Sequence, residues 1–545
     1  MLVPTASYGS PIKFGARKMT ARMFVFLTPL LLFFSMNAIA QDSAGAKLLE
    51  SKCSPCHART DGGLQRIKDS RRTPEGWDMN LVRMMVVHGV RMTGEERAAM
   101  VKYLSDNHGL APEETEGLRY ILERQSNMIE PQPDDTLAAM CARCHSYARF
   151  SLQRRTRDEW LKLMHFHLGQ FPTAEYQAMA RDRNWWEIMS TEMPDLLVKY
   201  YPLETDAWTT WQSRAPADPS GEWRVAGHQP GRGGYHGTMK VNKDGDDQYE
   251  VQLDIRYQDG ESASGSGRAI VYTGYEWRAS IDLGGRTVLQ VAALDEDGTN
   301  LSGRWFYEDN DVIGADLSAV KSGGGPHIMA VHPAYLKAGQ GAEISVHGTG
   351  LSGDVSLGDG VEIVEVISAD GSTVVVKAMA AADAAVGTRN VKVGGSQADG
   401  ALTVYNTVDS VAVEPAQAIA RVGDIGGPLA PVPAQFDAVA YLNGPDGTAG
   451  SDDDIRIGVM PAKWSVENNG EVAAQMQDSS FSGSIDAASG LYMPAGAGPN
   501  PDRTYSTNNA GDLIVKASVT DGGKAVEGSA HLIVTVQRWN DPPIR

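Results

Sequence analysis

The sequence twice spells Cys-x-x-Cys-His, as Cys53-Ser-Pro-Cys56-His57 and Cys141-Ala-Arg-Cys144-His145, and these motifs contain all four of its cysteines. The pattern is that of c-type haem attachment. Two thiols one helical turn apart add to the two vinyl groups of one porphyrin. The His after the second Cys then sits under the ring as proximal iron ligand. Two alternatives explain less. A zinc site made of two Cys-x-x-Cys knuckles is disfavoured by the 84 residues between them, far beyond the spacing of a zinc ribbon. A disulfide within each motif is strained and gives neither histidine a role. The expected cofactors are therefore two covalently bound haem c groups.

Six-coordinate iron also needs a distal His or Met. After each motif the chain partly repeats itself, with Thr73 to Trp77 and Thr156 to Trp160 sharing one spacing. This predicts two cytochrome c units in tandem, each with a Cys-x-x-Cys-His helix and a Trp helix that carries the sixth ligand. A closing helix, Gly94 to Leu104, is legible only in the first. The distal candidates are Met84, Met85 and His88 in the first unit, and Met164, His165 and His167 in the second. Setting Trp77 on Trp160 without a gap pairs Met84 with His167, the preferred assignment, and predicts one His/Met and one His/His haem. Setting Gly89 on Gly169 instead needs a three-residue deletion and pairs Met84 with Met164. Methionines not used as ligands are expected in the core. Because Met raises the haem potential relative to His, electrons are expected to leave from the His/Met haem.

Covalent haem implies export, and the N-terminus agrees. Lys13, Arg17, Lys18 and Arg22 precede an apolar run from Phe24 to Met36, and Ala38-Ile39-Ala40 before Gln41 reads as a cleavage site. Residues 1–40 are thus expected to be a signal peptide. The run is too short for a membrane anchor and no later segment supplies one, so the mature protein is expected to be periplasmic. Its charge is uneven. Residues 41–200 carry 22 basic and 23 acidic side chains, and residues 201–545 carry 23 and 45. A neutral haem region attached to an acidic body excludes nucleic acid as an expected partner, and the acidity serves solubility.

The elements that position the haem ligands are predicted from periodicity. Glu159-Trp-Leu-Lys-Leu-Met164 has helical spacing, whereas Tyr249-Glu-Val-Gln-Leu-Asp-Ile-Arg-Tyr257 and Val515 to Val519 alternate with period two. The fold class expected is multidomain: an α-helical tandem cytochrome c domain (41–204), followed by all-β domains. These are a β-barrel-like unit (205–325) and two immunoglobulin-like sandwiches (326–406 and 407–545), cut at the Lys321-Ser-Gly-Gly-Gly-Pro326 linker and near Asn406. Gly348-Thr-Gly350-Leu-Ser-Gly353 matches a dinucleotide-binding pattern, but strand-like residues follow it, so a β-turn is expected. Asp452-Asp453-Asp454 reads as a solvated loop rather than a calcium site.

Together, Cys53 to Arg59, Gly62-Gly-Leu-Gln-Arg-Ile-Lys68, Thr73-Pro-Glu-Gly-Trp-Asp-Met79, Cys144-His145-Ser-Tyr-Ala and His167-Leu-Gly-Gln-Phe-Pro172 resemble the dihaem α subunit of quinohaemoprotein amine dehydrogenase. The resemblance extends in domain order over the mature chain. It implies a periplasmic heterotrimer with a β-propeller subunit and a small subunit carrying cysteine tryptophylquinone, which oxidises primary amines. The implied electron acceptor is a small periplasmic cytochrome c or blue copper protein. Carried over, Cys53, Cys56, Cys141 and Cys144 hold haem, and His57 and His145 are proximal ligands. No catalytic residue is expected in this chain, because its cysteines are committed to haem and the quinone must come from another polypeptide. A free-standing dihaem carrier with β binding modules is the main alternative. A dihaem peroxidase is a weaker one, since it needs an open sixth site where His and Met abound.

Overall fold

A computed structural model describes residues 43–171, 173–178, 182–427, 429–506 and 508–537. The signal segment read over 1–40 lies outside the described residues. From Ala44 onward the chain forms one unit.

The first cytochrome-like unit comprises α1 (Ala44–Cys53), a small hairpin of β1 (Arg59–Thr60) and β2 (Gly63–Leu64), β3 (Ser70–Arg72), α2 (Pro74–His88) and α3 (Gly94–His108). After α4 (Pro112–Thr115), the second unit follows with α5 (Asp135–Cys141), α6 (Ala148–Ser151), β4 (Gln153–Arg155) and α7 (Arg157–Gln170). It continues with α8 (Thr173–Ala178), α9 (Trp185–Thr191) and α10 (Met193–Tyr200), and α11 (Asp206–Gln212) leads out.

Local chemistry sets these boundaries. Thr73 caps α2 by accepting from Gly76 N at 3.3 Å, with Pro74 in the first turn, where its missing N–H costs nothing. Thr156 caps α7 by accepting from Glu159 N at 3.3 Å. Each helix buries a Trp four residues past its cap, Trp77 and Trp160. Trp77 Nε1 donates to His108 O at the end of α3 (2.9 Å), and Trp160 Nε1 donates to Tyr201 O just past α10 (3.4 Å). The second unit therefore has a closing element too. Its periodicity is hidden because it is split into α9 and α10, with Pro194 in the first turn of α10. The units are joined by the antiparallel ribbon β3–β4, with Ser70 opposite Arg155, Arg71 opposite Arg154 and Arg72 opposite Gln153.

Eight antiparallel strands close into a barrel: β5 (Gly221–Gln229), β6 (Gly233–Gly245), β7 (Gln248–Tyr257), β8 (Ser262–Tyr272), β9 (Glu276–Leu283), β10 (Arg286–Leu294), β11 (Asn300–Tyr307) and β12 (Asn310–Lys321). Burial alternates residue by residue along β7, the period-two signature of a strand with one face inward. The interior is filled by large side chains, among them Trp223, Trp277, Trp305 and Tyr235. Their polar ends are paired: Trp305 Nε1 donates to Tyr235 OH (3.1 Å), which donates to Asp316 O (2.6 Å), and Trp277 Nε1 donates to Gln290 Oε1 (2.9 Å). This is a packed core rather than a ligand cup. One barrel end holds the helical region: Arg278 pairs with Glu75 on α2 at 2.6 Å, and Thr273 N donates to Asp106 Oδ1 on α3 at 2.8 Å.

Beyond the barrel, one four-stranded sheet orders His327–His332, Gly341–Thr349, Thr373–Ala380 and Val361–Ala369, and a second packs on it around a shared core. The last part has a four-stranded sheet and a three-stranded one over another core. No helix follows Gly348 to Gly353: the chain leaves strand Gly341–Thr349 for a loop and then strand Val355–Ser356. Asp452 to Asp454 lie in a turn whose carboxylates accept from Ser451 Oγ and nearby backbone N–H groups. Histidines pack the barrel to the first sandwich. His236 stacks on His347 at 3.6 Å, and burial, with His236 and His332 beside it, pushes His347 down to about 3. Among the described residues no helix is long and apolar enough to cross a membrane.

Candidate functional site

Both Cys-x-x-Cys-His motifs lie at the C-terminal end of a helix. α1 ends on Cys53, and His57 N donates back to Cys53 O at 2.9 Å, so the motif closes into a turn that presents its side chains together. α5 likewise ends on Cys141, and a turn follows it. None of the four cysteines is in a disulfide; Cys53 and Cys141 are half-buried, and Cys56 and Cys144 are exposed. Burial, with Cys56 beside it, pushes the Cys53 thiol up to about 11, and burial pushes Cys141 up to about 12. Neither has the lowered pKa of a redox-active thiolate. Among the described residues no group of three or more His, Cys, Asp or Glu is placed to hold a metal ion.

The two histidines are oriented for one free ring nitrogen. His57 Nδ1 lies 3.0 Å from Gln65 O, and His145 Nδ1 lies 3.0 Å from Ser146 O. A carbonyl at Nδ1 fixes the tautomer with the proton there and leaves Nε2 as a lone-pair donor for a metal. Burial lowers the pKa of His145, which keeps it neutral. Two cysteines and one oriented imidazole per motif are the set that a covalently held haem requires.

The distal candidates separate by environment. Met84 and Met85 are half-buried on α2, whereas His88 is exposed at its end. On α7, Met164 is 2 % exposed and packs in the second unit's core. His165 is exposed and meets Trp186 edge-on at 5.0 Å. His167 Nδ1 lies 2.7 Å from Leu163 O, which leaves its Nε2 available. Met84 and His167 stand at the same place on their helices, seven residues past the buried Trp and eleven past the capping Thr. At 100° per residue both fall on nearly the Trp face. The two glycines of the alternative register differ in place: Gly89 caps α2 at φ 72°, while Gly169 lies within α7. Two clefts, of about 290 and 400 Å³, lie elsewhere and include none of these ligand candidates.

Between the units lies a set of arginines that motif reading passed over. Arg71-Arg72-Thr73 and Arg154-Arg155-Thr156 occupy equivalent places before α2 and α7. Arg71 and Arg154 share one buried carboxylate, Glu114: Arg71 Nη1 donates to Oε2 at 2.7 Å, Arg71 Nη2 to Oε1 at 2.9 Å and Arg154 Nε to Oε1 at 3.0 Å. The signal was present in the sequence as the repeated Arg-Arg-Thr.

Four family models match consecutive stretches. Residues 43–208 match "Quinohemoprotein amine dehydrogenase A, alpha subunit, haem binding", and 216–322, 325–406 and 411–544 match that subunit's domains II, III and IV. The chain belongs to the quinohaemoprotein amine dehydrogenase α-subunit family. It is thus a subunit of an amine dehydrogenase oxidoreductase, with a haem-binding domain ahead of mostly β domains. No curated protein matches the sequence. Among solved structures, a redesigned β-barrel is 20 % identical over 18 % of this chain and 86 % of its own, with a TM-score of 0.16. The SGBP-B protein of a Bacteroides ovatus mixed-linkage glucan utilization locus, in complex with a mixed-linkage heptasaccharide, is 10 % identical over 59 % of this chain and 65 % of its own, with a TM-score of 0.18. At such scores neither likeness bears on what this α-subunit chain does.

Proposed function

We propose that this chain is the dihaem electron-transfer subunit of a periplasmic amine dehydrogenase, exported by residues 1–40. Two haem c groups are attached through Cys53 and Cys56 and through Cys141 and Cys144, with His57 and His145 as proximal ligands and Met84 and His167 as distal ones. A haem bound there supplies a one-electron redox centre. The chain's own task is to fix ligand geometry: Gln65 O and Ser146 O hold the proximal rings, and Leu163 O holds the His167 ring. The amine is oxidised on a small partner subunit carrying cysteine tryptophylquinone, with a β-propeller subunit alongside. Electrons go on to a small cytochrome c or blue copper protein. The β part is divided as a barrel (205–325) and two immunoglobulin-like sandwiches (326–406 and 407–545), which serve assembly.

The observation that carries this reading is the pair of Cys-x-x-Cys-His turns, each with a carbonyl-anchored His. Mass spectrometry of the mature chain should give the polypeptide from about Gln41 plus two haem masses; a haem-free mature chain would sink the reading. Adding a primary amine to the oxidised complex should reduce the haem bands, whereas adding it to the isolated subunit should not. Rapid amine-dependent reduction in the isolated chain would place a catalytic site in the β domains.

A further inference from the structure

The equivalent arginine pairs at the seam between the two cytochrome units are satisfied very unequally. Arg71 and Arg154 are paired by Glu114 and by several carbonyl oxygens. Arg72 and Arg155, as deeply buried at 7 % and 5 % exposure, lean instead on one amide oxygen. Gln153 Oε1 accepts from Arg72 Nη1 at 2.9 Å, from Arg155 Nη2 at 2.9 Å and from Arg155 Nε at 3.2 Å. Among the described residues Arg72 Nε is buried with no hydrogen-bond partner, its guanidinium lying over the Trp77 ring at 5.5 Å. The nearest carboxylate, Glu159, is 3.9 Å from Arg155 and is shared with Arg66 and Lys162.

More positive charge closes in from both sides. Arg83 of α2 reaches across to lie over the Phe166 ring of α7 at 4.4 Å, and Arg149 of the second unit reaches back to Met79 Sδ of α2 at 3.5 Å. Burial and the fields of Arg155 and Arg83 hold Arg72 well below its ordinary value. The Phe166 ring under Arg83 is the neighbour in sequence of the candidate ligand His167 on α7. A buried guanidinium with an unmet donor, as at Arg72, is destabilising unless an anion joins it. Glu114 is taken up by Arg71 and Arg154, so Arg72 has no carboxylate of its own, and its planar fork suits one.

We propose that Arg72 and Arg155 form a carboxylate site for haem propionates at this seam, with Arg83 and Arg149 supplying further positive charge. The proposal rests on the haem reading above. Its chemistry is electrostatic. A guanidinium beside a haem disfavours the extra positive charge of the oxidised iron and so raises the potential. It also keeps the propionate ionised, so that no proton is taken up as pH falls.

Spectroelectrochemical titration of the intact complex from about pH 5.5 to 8.5 tests this. Both midpoint potentials of the parent should be flat over that range. Arg72→Gln and Arg155→Gln should each retain two haem masses, lower one potential at the alkaline end and make it rise as pH falls, because the released propionate now protonates. Arg72→Lys, which keeps the charge, should restore most of the potential. Two haems with unchanged potentials in both Gln variants would overturn the proposal. So would a parent whose potentials already climb toward acid, a result that needs no variant to fold. A parent without haem is recognised by mass and removes the haem reading and this proposal together.

Discussion

The two cytochrome units share a beginning and differ in their ends. Each Trp helix is entered through Arg-Arg-Thr, capped by the Thr and pinned by an indole bonded to the carbonyl that ends a closing helix. The position eleven residues past the cap, where the proposal places the distal ligand, is therefore common to both, and it holds Met84 in one and His167 in the other. A cap fixes where a helix starts, and the helix's pitch then fixes where its later side chains point. The ligand type can change on that frame without moving the backbone.

The largest expected effects test this difference directly. Met84→Ala should abolish the weak near-infrared band of Met-to-iron coordination, whereas His167→Ala should leave it in place. Met84→His should draw the first haem's potential down toward the second's, since His lowers the potential relative to Met. If Met84→Ala and His167→Ala both keep the parent spectrum, the shared-frame assignment fails, and Met85, His88, His165 and Met164 must be tried in turn.

Next in size is the one carboxylate that serves both units. Glu114 accepts from Arg71, Arg154, Thr205 Oγ1 (3.0 Å) and Ala111 N (2.8 Å). Burial alone would raise its pKa, but the Arg71 hydrogen bond and the charges of Arg154 and Arg71 outweigh burial and lower it. Glu114→Gln leaves two buried guanidinium groups without their counter-charge and should cost about 3–5 kcal/mol, read as a fall in the unfolding midpoint of the helical region. The exposed neighbour Glu113 should tolerate the same change. Because the folded-state pKa is depressed, Glu114 contributes its stability at neutral pH, and that contribution is lost as pH falls through the folded value. The parent's margin over Glu114→Gln should therefore narrow in acid. A margin constant down to strong acid would mean that the seam does not depend on this charge.

Much of this arrangement is legible in the chain itself. Cys-x-x-Cys-His carries its chemistry in adjacent residues, the Thr-to-Trp spacing is local, and the alternation from Tyr249 to Tyr257 gives a barrel strand its face. What stayed hidden depends on distant partners. The closing element of the second unit is broken by Pro194 and lacks one continuous period. Met164 and His167 look alike in the sequence, and only the fold shows that Met164 packs in the core and that Leu163 O lies at His167 Nδ1. The repeated Arg-Arg was visible, but its meaning was not, because Glu114 lies 43 residues from Arg71 and 40 from Arg154.

The smallest effect separates the two helix ends. Gly89 stops α2 in the left-handed region, φ 72°, with its N–H donating to Met84 O. A Cβ there would meet nothing within 4 Å, so the cost of Gly89→Ala is conformational alone, about 1 kcal/mol. Gly169 lies inside the last turn of α7, also with nothing within 4 Å. Gly169→Ala should therefore stabilise by about 0.5–1 kcal/mol, because Ala loses less backbone freedom in a helix. Thermal unfolding of the two variants under one condition should move the midpoint in opposite directions. Equal losses at both sites would mean that the two glycines play the same role. The glycine-matched register, with Met84 opposite Met164, would then regain its footing against the cap-matched one.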